Sequence, residues 1–278
     1  MEERLQRKVD RAIKLLQSTC KEQQVELSYS GGKDSDVILE LAKMAGINYR
    51  AIYKCTTIDP PGTIKHCLDN GVEIIRPKMS FLKIIEKKGF PTRRARFCCE
   101  YLKEYKVMDI AIQGIRRSES TKRAKLYTEP TICRIYGSKK NHVNVILPIL
   151  DFTDKDVEEF IKERGIKLHP LYYNEYGSLN IKKRLGCMGC PLKHDNGLAD
   201  FKAHPKLVRA WLRAGQKWWE SHPNLKSKEN FSDIYELFVS IIFFDSYEKS
   251  MLAIRGVLFN DRIDCKKWIE DYFKIKLD

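Results

Sequence analysis

Val25-Glu26-Leu27-Ser28-Tyr29 runs straight into Ser30-Gly31-Gly32-Lys33-Asp34-Ser35, and apolar residues then recur at Val37, Ile38, Leu41 and Met44. A strand that ends in two glycines and opens directly into an amphipathic helix is the strongest constraint on what this chain can fold into. Units of this kind build parallel sheets covered by helices. The same turn suits phosphate. Glycines let the backbone approach an anion closely. The N–H groups and dipole at the helix start favour negative charge. Lys33 adds a mobile cation, and Ser30 and Ser35 add hydroxyls. Asp34 is the odd member, because a carboxylate beside a phosphate makes sense if it holds Mg²⁺ or orients a nucleotide. The competing reading is a Gly-Gly turn before a capped surface helix; the strand before and the helix after argue against it.

The rest of the first half alternates strands and helices. Strands are predicted at 25–29, 49–54, 73–76, 108–113 and 143–147, and helices at 34–45, 62–70, 80–88, 98–106 and 154–164. Thr153 caps the last helix, and Gly89 and Gly165 stop two of them. The implied fold is α/β, a mostly parallel doubly wound sheet. Ligands in such folds sit beyond the carboxyl ends of the strands. The Gly-Gly loop, Thr57-Ile58-Asp59 and Gly114-Ile115-Arg116 all follow strand ends and are predicted to line one crevice. From 199 onward only helical patterns occur, including a Trp-rich stretch at 204–221. The expected division is a nucleotide-binding domain over 1–198 and a C-terminal helical appendage over 199–278. The apolar run 238–244 is too short to span a bilayer and reads as a buried helix. The N-terminus is an amphipathic helix without the features of an export signal. These features lead to an expected cytoplasmic location with no membrane partner, and to nine cysteines acting as thiols or metal ligands.

Net charge is +14, and residues 76–140 alone carry 18 basic and six acidic side chains. That excess is more than one nucleotide needs, so nucleic acid is an expected second partner. A solvated basic surface is the other reading.

The cysteines fall into a pattern. Cys98 and Cys99 are adjacent, and Cys187-Met-Gly-Cys190 places two sulfurs around a tight turn that Gly189 suits. By count, four thiolates fit zinc or a [4Fe–4S] cluster equally. Cys20, Cys55, Cys67, Cys133 and Cys265 read as core or bystander residues. Arg116 and Arg123 are seven apart, so on one helix they would share a face with Glu119 between them. Their forks suit phosphate or sulfate, although an exposed ion-paired helix would look the same. Arg93, Arg94 and Arg96 are candidates for an anion site or for tuning a cluster. His169 and His194 flank the Cys-x2-Cys region and are not assigned as ligands.

The loop spacing differs from Gly-x4-Gly-Lys-Ser/Thr. It resembles the pyrophosphatase loop (PP-loop) of the adenine-nucleotide alpha-hydrolase superfamily, whose members cleave ATP between the α and β phosphates or handle adenylylated sulfate. Further segments are similar to the phosphoadenosine phosphosulfate (PAPS) reductase family. Thr92-Arg-Arg-Ala-Arg-Phe-Cys-Cys-Glu-Tyr-Leu-Lys103 resembles the segment around the family's first two cluster cysteines. Gly114-Ile-Arg-Arg-Ser-Glu-Ser-Thr-Lys-Arg123 resembles its phosphate- and sulfate-binding motif. Pro148 to Val157 and Pro170-Leu-Tyr172 match later landmarks. Over about residues 25–192 the motifs follow family order. The resemblance implies nucleotide contacts from Ser30, Gly31, Gly32, Lys33, Asp34, Ser35, Thr57, Asp59, Gly114, Arg116, Glu119 and Arg123. Lys33 and Asp34 would be catalytic. Cys98, Cys99, Cys187 and Cys190 would hold a [4Fe–4S] cluster, with zinc the less favoured occupant.

Two features depart from the reductases. Their C-terminal Glu-Cys-Gly-Leu/Ile-His nucleophile has no counterpart, since Cys265 stands in Asp264-Cys-Lys-Lys-Trp268. Release of sulfite would then need another thiol or an external reductant. The loop is also complete, as in ATP-cleaving relatives, whereas reductases tend to have a degenerate one. The expected activity is therefore an ATP-pyrophosphatase-type sulfur transfer with ATP and Mg²⁺, on nucleic acid in one version, with a separate sulfur donor. The alternatives are a PAPS or adenylylsulfate reductase served by a thioredoxin-like reductant, and a non-catalytic nucleotide-binding or redox-sensing protein.

Overall fold

The computed structural model describes residues 1–21, 23–137, 141–255 and 263–277. Two compact units share the chain, and neither is continuous in sequence. The first is Met1–Cys55, Asp59–Pro77 and Glu100–Gly186; the second is Thr56–Ile58, Lys78–Cys99 and Cys187–Asp278. In chain order the helices are α1 (Glu3–Cys20), α2 (Lys33–Ala45), α3 (Thr63–Asp69), α4 (Phe81–Lys88), α5 (Phe97–Leu102), α6 (Thr121–Leu126), α7 (Asp154–Arg164), α8 (Leu198–Ala203), α9 (Pro205–Ser221), α10 (Ser227–Asn230), α11 (Ile234–Phe243), α12 (Tyr247–Arg255) and α13 (Cys265–Phe273). No helix among the described residues is long and apolar enough to cross a membrane.

The first unit is built on a six-stranded sheet. Its strands are β1 (Val25–Tyr29), β2 (Tyr49–Lys54), β3 (Glu73–Ile75), β4 (Ile110–Ile112), β5 (Thr131–Ile135) and β6 (His142–Ile146), in the order β3-β2-β1-β4-β6-β5. All pairings are parallel except β5 with β6. The sheet grows outward from β1 to β3 and then restarts on the other side of β1 with β4. That reversal is a topological switch point, where open α/β sheets bind ligands. Leu27 stands opposite Ile112, so the loops that follow β1 and β4 leave the same edge as neighbours.

Local sequence explains the helices around this sheet. Leu5, Val9, Ala12, Leu16 and Cys20 form one buried stripe along α1. Fully burying each leucine or valine of that stripe contributes roughly 1.5–3 kcal/mol. Gly46 closes α2 and Gly165 closes α7, both in the left-handed region. Thr153 accepts from Asp156 N–H and Asp156 returns the bond, the capping box expected of that sequence. β1 is buried on both faces, which makes Glu26 costly there. Its carboxylate is 2% exposed and is met by Lys54 Nζ at 3.1 Å and Ser28 Oγ at 2.8 Å.

The second unit is helical and organised by rings. Trp211 of α9 lies 5.0 Å from Phe81, 5.1 Å from Phe201 and 6.0 Å from Phe90 between centroids. Phe238 of α11 packs edge-on to Phe90 and Phe201. This corrects the expected cut at 198. Residues 78–99 and 187–198 belong with the helices, because Phe81 and Phe90 complete the cluster around Trp211.

Candidate functional site

The phosphate loop links β1 to α2. Gly31 has φ +75, and a β-carbon there would stand 3.1 Å from Leu185 Cδ2 and 3.3 Å from Thr63 Cγ2. Ser30 Oγ donates to Ser35 Oγ (3.2 Å), and Ser35 Oγ donates to the Gly32 carbonyl (2.7 Å). The Lys33 N–H donates to the Tyr172 hydroxyl at 3.1 Å. The Lys33 side chain is buried, with Nζ 3.4 Å from Asp34 Oδ2 and 5.9 Å from the centre of the Tyr172 ring.

Asp34 is engaged on both oxygens. Its Oδ1 accepts from Arg116 Nε at 2.7 Å. Arg116 is 1% exposed and also donates to Asp154 Oδ1 (2.8 Å), Ser118 Oγ (2.9 Å) and the Phe152 carbonyl (3.4 Å). Its guanidinium is thus bonded to protein groups on every nitrogen, and through Nε it fixes the Asp34 carboxylate. Gly114 permits this approach, since a β-carbon at that position would lie 2.9 Å from the Asp34 carbonyl oxygen.

Arg116 and Arg123 do not share a helix face. Arg117–Glu119 is one 3-10 turn, and Ser120 is extended and caps α6 by accepting from Arg123 N–H. Polar side chains that can cap break a helix that charge spacing alone suggests. Glu119 still pairs with Arg123, and its carboxylate also accepts from Arg116 N–H (3.2 Å) and Arg184 (3.3 Å). Arg184 was not among the sequence candidates. Burial, and after it the nearby Arg184, hold the Arg123 guanidinium below its usual range. Two arginines around one carboxylate suit an exchange in which an incoming phosphate replaces Glu119.

Two of the three segments predicted to line one crevice are seen together in the first unit. The Gly-Gly loop and Gly114–Arg116 meet through Asp34. Thr57 belongs to the second unit, has φ +65, and accepts from Phe81 N–H at 2.9 Å. Asp59 belongs to the first unit and accepts from Cys55 Sγ at 3.4 Å. Residues 76–140 also divide, with 78–99 in the second unit and 100–140 in the first. Several of those cations are committed to protein groups. Arg117 bonds Asp151 and the Tyr127 and Thr128 carbonyls, and Arg93 is tied as described below.

A buried polar chain lies behind the loop, and sequence reasoning missed it. Asp36 accepts from the Tyr29 hydroxyl and lies 3.1 Å from His66 Nε2. His66 packs edge-on to His169, whose Nε2 is 3.3 Å from Thr63 Oγ1 and whose Nδ1 accepts from Leu171 N–H. Burial pushes the Asp36 carboxyl up, against the opposing pull of His66 and Tyr29. Burial, and after it His66, push His169 down.

The four paired cysteines all belong to the second unit and are half-buried. The Cys98 thiol is pushed up by a hydrogen bond with Cys99, by burial, and by the charges of Cys99, Cys187 and Cys190. The two pairs therefore lie within electrostatic reach of each other. Arg96 donates to Cys99 Sγ at 3.7 Å. Arg93 donates to Asn196 Oδ1 (2.9 Å) and to the carbonyls of Lys193 (2.9 Å) and His194 (3.2 Å), tying the segment before Cys98 to the one after Cys190. Arg94 lines a cavity of about 310 Å³ together with Asp245 and Glu248. The Gly189 N–H donates to Asp200 Oδ2 at 2.8 Å. A β-carbon at Gly189 would come within 2.6 Å of Phe201 Cζ and 3.1 Å of Trp211 Cζ2. The Trp211 indole N–H is buried and has no hydrogen-bond partner among the described residues. No group of three or more His, Cys, Asp or Glu among the described residues is arranged to hold a metal ion. In chemistry, four sulfurs and a neighbouring guanidinium agree with an iron–sulfur group. Of the other cysteines, Cys20, Cys55, Cys67 and Cys265 are buried, whereas Cys133 is exposed with Sγ 3.5 Å from His142 Nδ1.

Comparison with known proteins adds the following. Residues 24–193 match the phosphoadenosine phosphosulfate reductase domain. An uncharacterized protein of Methanocaldococcus jannaschii is 31% identical over 256 residues, covering 81% of this chain and 59% of its own length. The phosphoadenosine 5′-phosphosulfate reductase of Vibrio atlanticus is 38% identical over 68 residues, 24% of this chain and 22% of that one. The chain thus spans less than two thirds of the length of these curated relatives. A phosphate complex of the PAPS reductase of Candida auris aligns over 67% of this chain and 95% of its own, at 16% identity and a TM-score of 0.46.

Proposed function

The chain belongs to the phosphoadenosine phosphosulfate reductase family, and on that premise we propose that it is a PP-loop enzyme of the ATP-pyrophosphatase type acting in sulfur transfer. ATP binds with its polyphosphate against Gly31–Lys33 at the start of α2. An oxygen of the acceptor substrate attacks the α-phosphorus, the bond to the bridging oxygen breaks, and pyrophosphate leaves. A sulfide-level nucleophile from a separate sulfur donor then bonds to the acceptor carbon, the carbon–oxygen bond breaks, and AMP leaves with that oxygen. Lys33 follows the charge that develops on the leaving group. Asp34, held by Arg116, keeps Lys33 aimed until the polyphosphate arrives. Asp34 and Asp154 both serve Arg116, and a Mg²⁺ brought by the nucleotide would neutralise polyphosphate charge. Arg123 and Arg184 accept a second anionic group in exchange for Glu119. Cys98, Cys99, Cys187 and Cys190 would hold a [4Fe–4S] cluster, which supplies one-electron and sulfur-ligating chemistry when bound. Nucleic acid is the proposed acceptor.

The observation that carries this reading over the reductase is Cys265. It is 3% exposed and is the first residue of α13, where Asp264 caps the helix. A thiol in that setting is not a mobile nucleophile. The complete loop with its organised Asp34 agrees. One observation favours the second reading, an adenylylsulfate reductase: exposed Cys133 beside His142 is a thiol with a base at hand. Pyrophosphate and sulfite assays run side by side on ATP and on adenylylsulfate with thioredoxin test both. The expected result is pyrophosphate release from ATP that falls about 100-fold or more in Lys33→Ala. Sulfite release from adenylylsulfate that is lost in Cys133→Ser would overturn the proposal in favour of the reductase.

A further inference from the structure

The segment between Tyr172 and Leu185 leaves the phosphate loop and returns to it. At one end the Tyr172 hydroxyl accepts from Lys33 N–H, and it is also bonded to the Leu185 backbone. At the other end Leu185 Cδ2 lies 3.1 Å from where a Gly31 β-carbon would be. Between these anchors the chain folds back on itself. Tyr173 bridges Leu179 in antiparallel fashion, and Asn180 N–H donates to the Tyr172 carbonyl at 2.7 Å. Asn174 Oδ1 accepts from both Tyr176 N–H (3.0 Å) and Ser178 N–H (2.8 Å), which stiffens the tip. That rigid tip holds Tyr176 84% exposed, the most exposed large apolar side chain described. Lys182, Lys183 and Arg184 follow on the returning arm, all exposed.

An aromatic ring held out on a stiff turn gains nothing for the fold. With three cations following on the same hairpin, it matches the platform on which unpaired bases stack while the backbone phosphates are neutralised. Duplexes keep their bases stacked on each other and offer no free face to such a ring. We infer that the Tyr172–Leu185 hairpin binds a single-stranded stretch of nucleic acid, with a base stacked on Tyr176 and phosphates on Lys182, Lys183 and Arg184, and so presents an unpaired nucleotide to the phosphate loop. The inference rests on the adenylylation reading for its purpose, and on the hairpin alone for its binding.

Fluorescence anisotropy with labelled single-stranded oligouridylate and oligothymidylate of about 12 nucleotides, beside a duplex of equal length, tests it. Single strands are expected to bind more tightly than the duplex. Tyr176→Ala should weaken single-strand binding by about 5- to 100-fold, and Tyr176→Trp should restore it. Lys183→Ala should flatten the slope of log affinity against log salt by about 0.7. Thermal melting of Tyr176→Ala should match the wild type, because the ring packs on little. Tyr176→Ala that binds strands as well as wild type, equal affinity for duplex, or no strand binding at all would overturn the inference. ATP binding is measured on the same samples. Tyr176-dependent strand binding without ATP binding would keep the hairpin and remove the adenylylation reading. ATP binding and turnover without strand binding would do the opposite.

Discussion

Arg116 and Trp211 are the two largest fully buried side chains, each 1% exposed, and they are buried by opposite means. Arg116 is enclosed by partners for its charge: Asp34, Asp154, Ser118 and a carbonyl. Trp211 is enclosed by shape, between Phe81, Phe90, Phe201 and the bare backbone of Gly189, with its own N–H unanswered. The surroundings of Asp34 in the first unit are thus specified by complementary charge, and those of Gly189 beside the cysteine pair by volume. The second can hold four sulfurs in place only while its rings and glycines fit.

The largest effect should come from breaking the charge set. Arg116→Ala takes the guanidinium from both Asp34 and Asp154 and leaves Asp34 with Lys33 alone. Losing one partner of a buried ion pair costs about 3–5 kcal/mol, and the part-exposed carboxylates point to the lower end. Arg116→Lys should recover part of it, since an ammonium cannot reach Asp34 and Asp154 as a fork does. Amide exchange in the segments of β1 and β4 should read the loss. Tryptophan emission should move less, because Trp211, Trp218, Trp219 and Trp268 all belong to the second unit. An Arg116→Ala protein as stable as wild type would remove the contrast.

The matching break on the other side adds one methyl group. Gly189→Ala would press on Phe201 and Trp211 at a position with φ +67. Overpacking of this kind costs about 1–3 kcal/mol. Tryptophan emission should now report the change while β1 and β4 stay protected. If iron is bound, anaerobically prepared Gly189→Ala should also retain less of it.

Much of the charge-specified half could be read from the sequence. β1, β2 and α7 fall on the predicted residues because glycines, caps and an uninterrupted apolar pattern mark their ends. β5 was missed, since Thr131–Ile135 is an edge strand with alternate residues exposed and few buried neighbours. The helix expected over 98–106 stops at Leu102, and the one imagined across Arg116–Arg123 is broken by Ser120. Asp34, Gly114 and Arg116 could be named as a site, but not the direction of their contacts. A motif does not say whether an arginine faces the ligand or the residue that faces the ligand. The volume-specified half was less legible, because Phe81 and Phe90 meet Trp211 across more than a hundred residues.

Acid should separate the two halves more gently. His169 is held neutral by burial, and after that by His66, with Nδ1 accepting from Leu171 N–H. A histidine whose folded value is depressed takes up protons more readily when unfolded. Its contribution is intact above about pH 6.5, the unfolded value, and is lost as pH falls below it. Asp36 works in the opposite sense, since its raised carboxyl takes up protons more readily in the folded state. The difference between wild type and His169→Gln isolates the histidine. Urea midpoints followed by far-UV dichroism from pH 7.5 to 5.5 should fall more steeply in the wild type. Parallel curves would mean that His169 does not titrate in that range.

The smallest predicted effect asks whether charge itself or its burial makes the difference. Lys83 and Lys217 both reach Glu86 in the second unit, at 2.6 and 3.1 Å, a triad that looks like the one around Arg116. The two lysines are 62% and 64% exposed, so water competes for each contact. Exposed pairs of this kind contribute about 0.2–1 kcal/mol, and less in salt. A double-mutant cycle on Lys83→Ala and Glu86→Ala should give a coupling of about 0.5 kcal/mol that disappears in 1 M salt. The Arg116–Asp34 cycle should change little under the same salt, because its guanidinium is out of reach of ions. A Lys83–Glu86 coupling as large and as salt-resistant as that of Arg116 would show that both units depend on charge alike, and would leave packing around Trp211 as the only feature that sets the cysteine side apart.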